Sequence, residues 1–166
     1  MDPFLIWLES TAFSTWLRES PSVFAFPAVL SCHTVGMGLV AGINAALALR
    51  LLGVGPGIPL EAMKRFFPVM WAGFWLNAVS GVALFIGYPT KAMTNPVFYL
   101  KLALIGVGLW LLKLIRGRVF RESMLEETTK AGNVKALAVA SLACWAAVIT
   151  AGRLLAYTYT RLMATF

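Results

Sequence analysis

A single histidine, His33, stands in a stretch from Val23 to Leu49 that carries no formal charge. Counted from Val23 it lies about ten residues into an apolar segment, roughly 15 Å deep at 1.5 Å per residue, near the middle of a bilayer. An ionisable side chain at that depth is costly and turns towards protein or a ligand rather than lipid. Neutral imidazole is also a good ligand for iron or copper. Two cations accompany it. Lys101 falls about four residues into a third apolar segment and Arg153 about five residues from the end of a fourth, which puts both at shallow depth on one side, above His33. No Asp or Glu occurs within any of the four apolar segments, so Glu9 and Glu19 are the nearest carboxylates of this chain that could reach the cations. The chemistry this suggests is a haem b with iron on His33 and propionates turned towards Lys101 and Arg153, while Asn77 and Ser80 steady the imidazole from the second segment. A six-coordinate iron needs a second axial ligand. Met37 is one turn along the same helix face and cannot supply it from the opposite side. Two copies would each donate His33 across a two-fold axis, or the iron stays five-coordinate.

Other readings use the same residues. His33 as a neutral side chain hydrogen-bonded to Asn77 or Ser80 needs no ligand, and Lys101 and Arg153 then snorkel to the interface. Copper is the second metal, with Cys32 adjacent to His33 and Met37 one turn away as soft ligands, although the chain has no Met-x-x-Met cluster. Proton transfer needs a relay of ionisable groups, and one histidine without an intramembrane acid makes a poor one. A hydrolytic triad cannot be assembled within the apolar segments, and no strand precedes a phosphate-binding glycine loop. The net charge of +7 is a basic excess beside apolar spans, and no nucleic-acid-binding motif accompanies it.

These residues must be positioned by membrane helices. With 60% apolar and only 13% charged residues in 166, the chain is too apolar for a soluble domain and fits one unit whose surface faces lipid. A spanning helix needs about 20 apolar residues, and residues 23–49, 66–88, 97–115 and 134–158 supply four. Asn95 is a good N-cap for the third, Pro96 suits its first turn, and Gly132-Asn133 reads as a stop before the fourth. The ten-residue alternation of a β-barrel is missing. The expected fold is an all-α integral membrane four-helix bundle in a single domain, 1–166, with an N-terminal interfacial amphipathic helix over residues 4–19, where Phe4, Trp7, Leu8, Phe13, Trp16 and Leu17 recur at near-helical spacing. The N-terminus lacks the basic leader of a signal peptide. Residues 50–65 form a loop punctuated by Gly53, Gly55, Pro56, Gly57 and Pro59, and 116–133 the longest loop, into which Val119, Met124 and Leu125 suggest that the third helix continues. Cys32 and Cys144 fall within spans and behave as small apolar residues. Small-residue seams let membrane helices approach: Gly38 with Gly42, Ala41 with Ala45, Gly73 with Gly81, and Ala136, Ala140, Ala143, Ala147 and Ala151. They join helices within one chain or between copies.

Orientation follows from the lysines and arginines. The two odd-numbered loops and their flanks hold nine, Arg50, Lys64, Arg65, Lys113, Arg116, Arg118, Arg121, Lys130 and Lys135, against five on the opposite side, Arg18, Lys91, Lys101, Arg153 and Arg161. Both termini are therefore expected outside, in the periplasm of a Gram-negative host.

The ordered set Ser31-Cys32-His33-Thr34-Val35-Gly36, Leu49-Arg50-Leu51-Leu52-Gly53, Trp71-Ala72-Gly73-Phe74, Ser80-Gly81-Val82-Ala83-Leu84-Phe85 and Asn95-Pro96-Val97-Phe98-Tyr99-Leu100-Lys101 resembles an uncharacterised bacterial family of small four-helix integral membrane proteins, over about residues 20–110. In that pattern an acid commonly precedes Leu-Arg, where this chain has Ala48. More loosely the chain is similar to the copper-resistance D and cytochrome b561 membrane domains, which use several intramembrane histidines where this chain has one. The resemblance implies a bacterial inner-membrane protein and points to His33, Arg50 and Lys101. Residues and resemblance together suggest a haem-binding or redox-associated membrane subunit, with haem at an oligomer interface. The alternatives are a structural or accessory subunit of a larger membrane complex and a copper or small-molecule transporter. The expected partners are lipid, further copies of the chain or other membrane subunits; whether the chain is itself an enzyme is left open, leaning to no.

Overall fold

The computed structural model describes residues 3–120 and 130–163. Short helices α1 (Pro3–Glu9) and α2 (Ala12–Glu19) precede the long α3 (Phe26–Leu51); α4 (Leu60–Met63) and a 3-10 turn lead into α5 (Phe67–Gly87). Helix α6 (Pro89–Met93) joins α5 to α7 (Pro96–Phe120), and α8 (Lys130–Met163) follows. Four of these helices are long and apolar enough to cross a membrane. The protein is an all-α, multi-pass membrane four-helix bundle.

Local chemistry sets the helix ends. Helix α3 stops where Gly53 turns left-handed at φ 99°. The Gly53 N–H then reaches Arg50 C=O at 3.2 Å and the Val54 N–H reaches Leu49 C=O at 3.0 Å, the paired bonds of a glycine-terminated helix. Arg50 holds the loop that follows, donating from Nε to Ile58 O at 2.6 Å and from a terminal guanidinium nitrogen to Pro56 O at 3.1 Å. Asn95 caps α7 as its sequence suggests: its Oδ1 accepts from Val97 N at 3.0 Å, and its amide donates to Thr158 Oγ1 of α8 at 2.8 Å.

Helix α3 lies between α5 and α8, and α7 packs along α8. Two apolar layers fill the interior. Val40, Ala41, Trp145 and Val148 occupy the middle. Leu47, Phe67, Met70, Leu112 and Ile115 close the end that carries Arg50 and the α3–α5 connection, here termed the basic end. The α3–α5 pair is the tightest. A Cβ placed on Gly36 would come within 2.6 Å of Asn77 N and 2.7 Å of Gly73 O, and one on Gly73 within 2.6 Å of Leu39 Cβ. Bare backbone at these two positions is what lets the helices meet.

The structure departs from several expectations. The segment 4–19 is two helices, because Ser10 and Thr11 break it and the Thr11 hydroxyl caps α2 by accepting from Ser14 N at 3.4 Å. Buried Leu17 seats on Gly87, and the Ser14 hydroxyl donates to Gly87 O at 3.4 Å, so α2 docks on the end of α5 through these two residues while Phe13 and Trp16 stay exposed. Helix α8 begins at Lys130, upstream of Gly132-Asn133, which therefore do not separate two helices. Its buried line is Ala138, Ser141, Cys144, Trp145, Val148 and Ala151. Ala136, Ala140 and Ala143 face outward. Gly38 and Gly42 meet nothing within 4 Å. Several small-residue faces exist on each helix, and only the partners' shapes select one. Arg121, Met124 and Leu125, and the side chains of Lys130 and Arg161, lie outside the described residues.

Substituting Gly36 or Gly73 by leucine should destabilise the protein by at least the roughly 1–3 kcal/mol of ordinary overpacking, read as a lower thermal midpoint in detergent. Gly38→Ala, on an open face, should leave that midpoint within about 1 kcal/mol of the parent or raise it.

Candidate polar site within the bundle

One helical turn from the Gly36–Gly73 contact, the four helices bring polar groups to a common level. Helix α3 contributes His33, α5 contributes Asn77, Ser80 and Gly81, α7 contributes Lys101, and α8 contributes Gly152. His33 is seven residues from the start of α3, about 10 Å along it, and Lys101 five residues from the start of α7. The cation is therefore beside the imidazole rather than above it.

The imidazole makes two kinds of contact. Its Nδ1 lies 3.0 Å from Asn77 O and 3.3 Å from Ser80 Oγ, and its Nε2 lies 3.4 Å from Lys101 Nζ. A carbonyl only accepts and an ammonium only donates. These partners assign the neutral tautomer with the proton on Nδ1, donated to Asn77 O, and the Nε2 lone pair turned to Lys101. Asn77 completes an exchange with the facing helix, because its amide donates to His33 O at 2.7 Å. The Ser80 hydroxyl stays on its own helix, donating to Leu76 O at 2.6 Å. Gly81 backs the ring: a Cβ there would lie 3.2 Å from His33 Cε1. Gly152 leaves the space that Lys101 fills, since a Cβ there would lie 3.6 Å from Nζ.

Four residues singled out by sequence, His33, Asn77, Ser80 and Lys101, thus meet. Arg153 does not join them. Gly152 faces Lys101, and the next residue is turned about 100° around the helix, which leaves the Arg153 side chain exposed. Glu9 is likewise engaged elsewhere, accepting from Thr90 Oγ1 at 3.1 Å and lying 3.9 Å from Arg18. Cys32 is exposed rather than turned inward with His33, and Met37 packs against the middle layer. Among the described residues no group of three His, Cys, Asp or Glu is placed to hold a metal ion.

A metal on His33 meets one supporting and one opposing feature. Metal-ligating histidines donate their other ring N–H to a carbonyl or carboxylate, as Nδ1 does here to Asn77 O. The lone pair that would bind iron, however, faces an ammonium at 3.4 Å, and a metal at bonding distance from Nε2, about 2 Å, would overlap it. As folded, the residues do not fit a haem iron on Nε2.

Sequence reasoning named Gly81 only as part of a helix seam with Gly73, not as the backing of the imidazole, and missed Gly152, whose part is also to be small, and Asn44. Asn44 is buried, with its amide donating to Val40 O at 2.8 Å and lying 3.4 Å from Met70 Sδ. Its standing as the one amide side chain in the first span was a legible signal.

Replacing Asn77 by leucine removes its interhelical amide bond while leaving the backbone carbonyl that His33 uses. Interhelical bonds within membranes contribute about 0.6 kcal/mol on average and about 1.7 at most. Asn77→Leu should lower the thermal midpoint within that range, whereas Ser80→Ala, which removes a bond internal to α5, should cost less. No family model, curated protein or solved structure matches this chain, so what the layer does is read from its own geometry.

Proposed function

We infer that this chain is a membrane-embedded binding subunit in which Lys101, beside His33, receives the acidic group of a lipid-soluble ligand. The observation that carries this reading is the state of Lys101. Its ammonium offers three donors inside an apolar bundle. One is directed to His33 Nε2, and no described carboxylate pairs with it. Lys101 is half-buried, a cation partly withdrawn from water without an opposite charge is costly, and an anion with free oxygens would satisfy both its charge and its remaining N–H groups. A carboxylate on an apolar body meets that need and reaches the site through the bilayer. His33, locked in its tautomer by Asn77, keeps the ammonium in place. The balance of basic residues supports a bacterial inner-membrane setting with both termini periplasmic and this layer nearer the outer leaflet.

A haem b bound through His33 is the second reading, favoured by the Nδ1–H bond to Asn77 O. It requires Lys101 to leave Nε2 and turn to a propionate.

Delipidated protein in detergent, titrated calorimetrically with oleate, tests the first reading. Oleate should bind the parent protein, and Lys101→Met should weaken it about tenfold or more, the range of a charge-assisted hydrogen bond. Equal binding by parent and variant rejects the site. The visible spectrum of protein purified from haem-replete cells separates the second: a Soret band lost in His33→Ala establishes iron on the histidine, and its absence removes that reading. Lys101→Met should also leave the thermal midpoint unchanged or raise it, because replacing a half-buried, unpaired charge by an apolar group of similar length is neutral or stabilising. A clear drop would mark the lysine as structural.

A further inference from the structure

At the basic end a second feature stands apart from the polar layer. Helices α5 and α7 are separated there by an open groove of about 720 Å3, with Trp71 on one wall and Leu109 and Trp110 on the other. Lys113 and Arg116 line its mouth. They are three residues apart, on one face of α7. The Arg116 guanidinium is held in position, 4.5 Å from the Phe67 ring centroid at the start of α5. Both cations are exposed. Neither has a carboxylate partner among the described residues, where Glu61 is bound to Lys64 at 2.8 Å.

We propose that this groove is a binding site for one anionic phospholipid, with the phosphate between Lys113 and Arg116 and an acyl chain between Trp71 and Trp110. Charge and depth select this occupant. The walls are apolar, as a chain in hydrocarbon requires, and Trp110 is three residues before Lys113 on the same face of α7, so the indole lies on the hydrocarbon side of the cations. Two cations at the same end, one of them held by the Phe67 ring, match a headgroup phosphate at the level where basic clefts between membrane helices collect anionic lipid. A second protein helix would leave both cations unanswered unless it brought its own acids. A zwitterionic lipid neutralises its own phosphate with its amine. The groove therefore discriminates on net headgroup charge.

The test reconstitutes the full chain in phosphatidylcholine vesicles containing increasing fractions of phosphatidylglycerol with brominated acyl chains, which quench tryptophan at contact. The parent should show quenching that saturates well below the quencher's share of the bilayer, a preference of about 25-fold over brominated phosphatidylcholine. Each basic residue near an anionic lipid contributes about fivefold. Lys113→Gln with Arg116→Gln should remove the preference, and Trp71→Phe with Trp110→Phe should remove most of the saturating quenching. Arg118→Gln, also basic and exposed but outside the groove, should retain it. Millimolar inorganic phosphate should not reverse the quenching; reversal would show a site for free phosphate and overturn the lipid assignment. Equal quenching by the two lipids in the parent, or a preference that survives in the double variant with unchanged circular dichroism, also overturns it.

Discussion

The close approach of α3 and α5 at Gly36 and Gly73 is the constraint on which the rest of the bundle depends. In a membrane, apolar side chains gain little from leaving lipid for one another, so helices associate where their backbones come near enough for dense contact. A single Cβ at either glycine would meet backbone or Cβ atoms at 2.6 Å. That contact fixes the rotation of both helices. Once it is made, His33, three residues before Gly36, and Asn77, four residues after Gly73, must face each other. The reciprocal bonds between Asn77 and His33 follow from the glycine contact rather than causing it.

The same packing explains why the polar layer is built from small and long residues together. Gly81 leaves room for the imidazole edge, and Gly152 leaves room for the lysine stem, so α5 and α8 shape a slot in which α3 and α7 place their nitrogen groups. The compact ammonium of lysine suits such a slot, whereas the planar guanidinium of arginine, with five donors, would need a wider one. The two basic positions that sequence treats alike separate for this reason. Lys101 is on an inward register of α7. Arg153 follows the inward Gly152 and points out.

How much of this was legible in sequence varies with the kind of information needed. The four spans, the Asn95 cap and the glycine stop after α3 rest on local chemistry, and residue type alone places them. The break at Ser10-Thr11 was also local, yet amphipathic spacing that runs on through residues 4–19 hid it. The seams were only half legible. Small residues recur on several faces of α3 and α8; Gly73 opposite selects Gly36 over Gly38, and the Trp145 ring against Gly108 sets the rotation of α8 that buries Ala138 rather than Ala136. At the site, residue types named His33, Asn77, Ser80 and Lys101 because polar groups in hydrocarbon are few. The relative depth of Lys101 and His33 was misjudged, since α3 begins at Phe26 rather than Val23 and brings the imidazole to the lysine's level. The direction of Nε2 could not come from spacing at all, because it depends on which ring nitrogen Asn77 O captures.

The bundle handles its interior polar groups in three ways, and the contrast bears on which of them work. Asn44 is answered by the carbonyl of Val40 one turn back and so adds little demand on its surroundings. The indole nitrogen of Trp145 is buried without a hydrogen-bond partner. An unmet neutral donor costs about 1–3 kcal/mol, which the packing of so large an apolar ring against Val40, Ala41 and Val148, with Gly108 cut back to admit it, can offset. Lys101 belongs to neither case. It is a half-buried charge rather than a neutral N–H, and withdrawing a charge from water is the costlier of the two; its aliphatic stem is no better packing material than a leucine, and its contact with Nε2 is long for a hydrogen bond between nitrogens. A half-buried cation that packs no better than a leucine leaves donors to be satisfied, and that is the ground on which we propose this layer, rather than Asn44 or Trp145, as a ligand site.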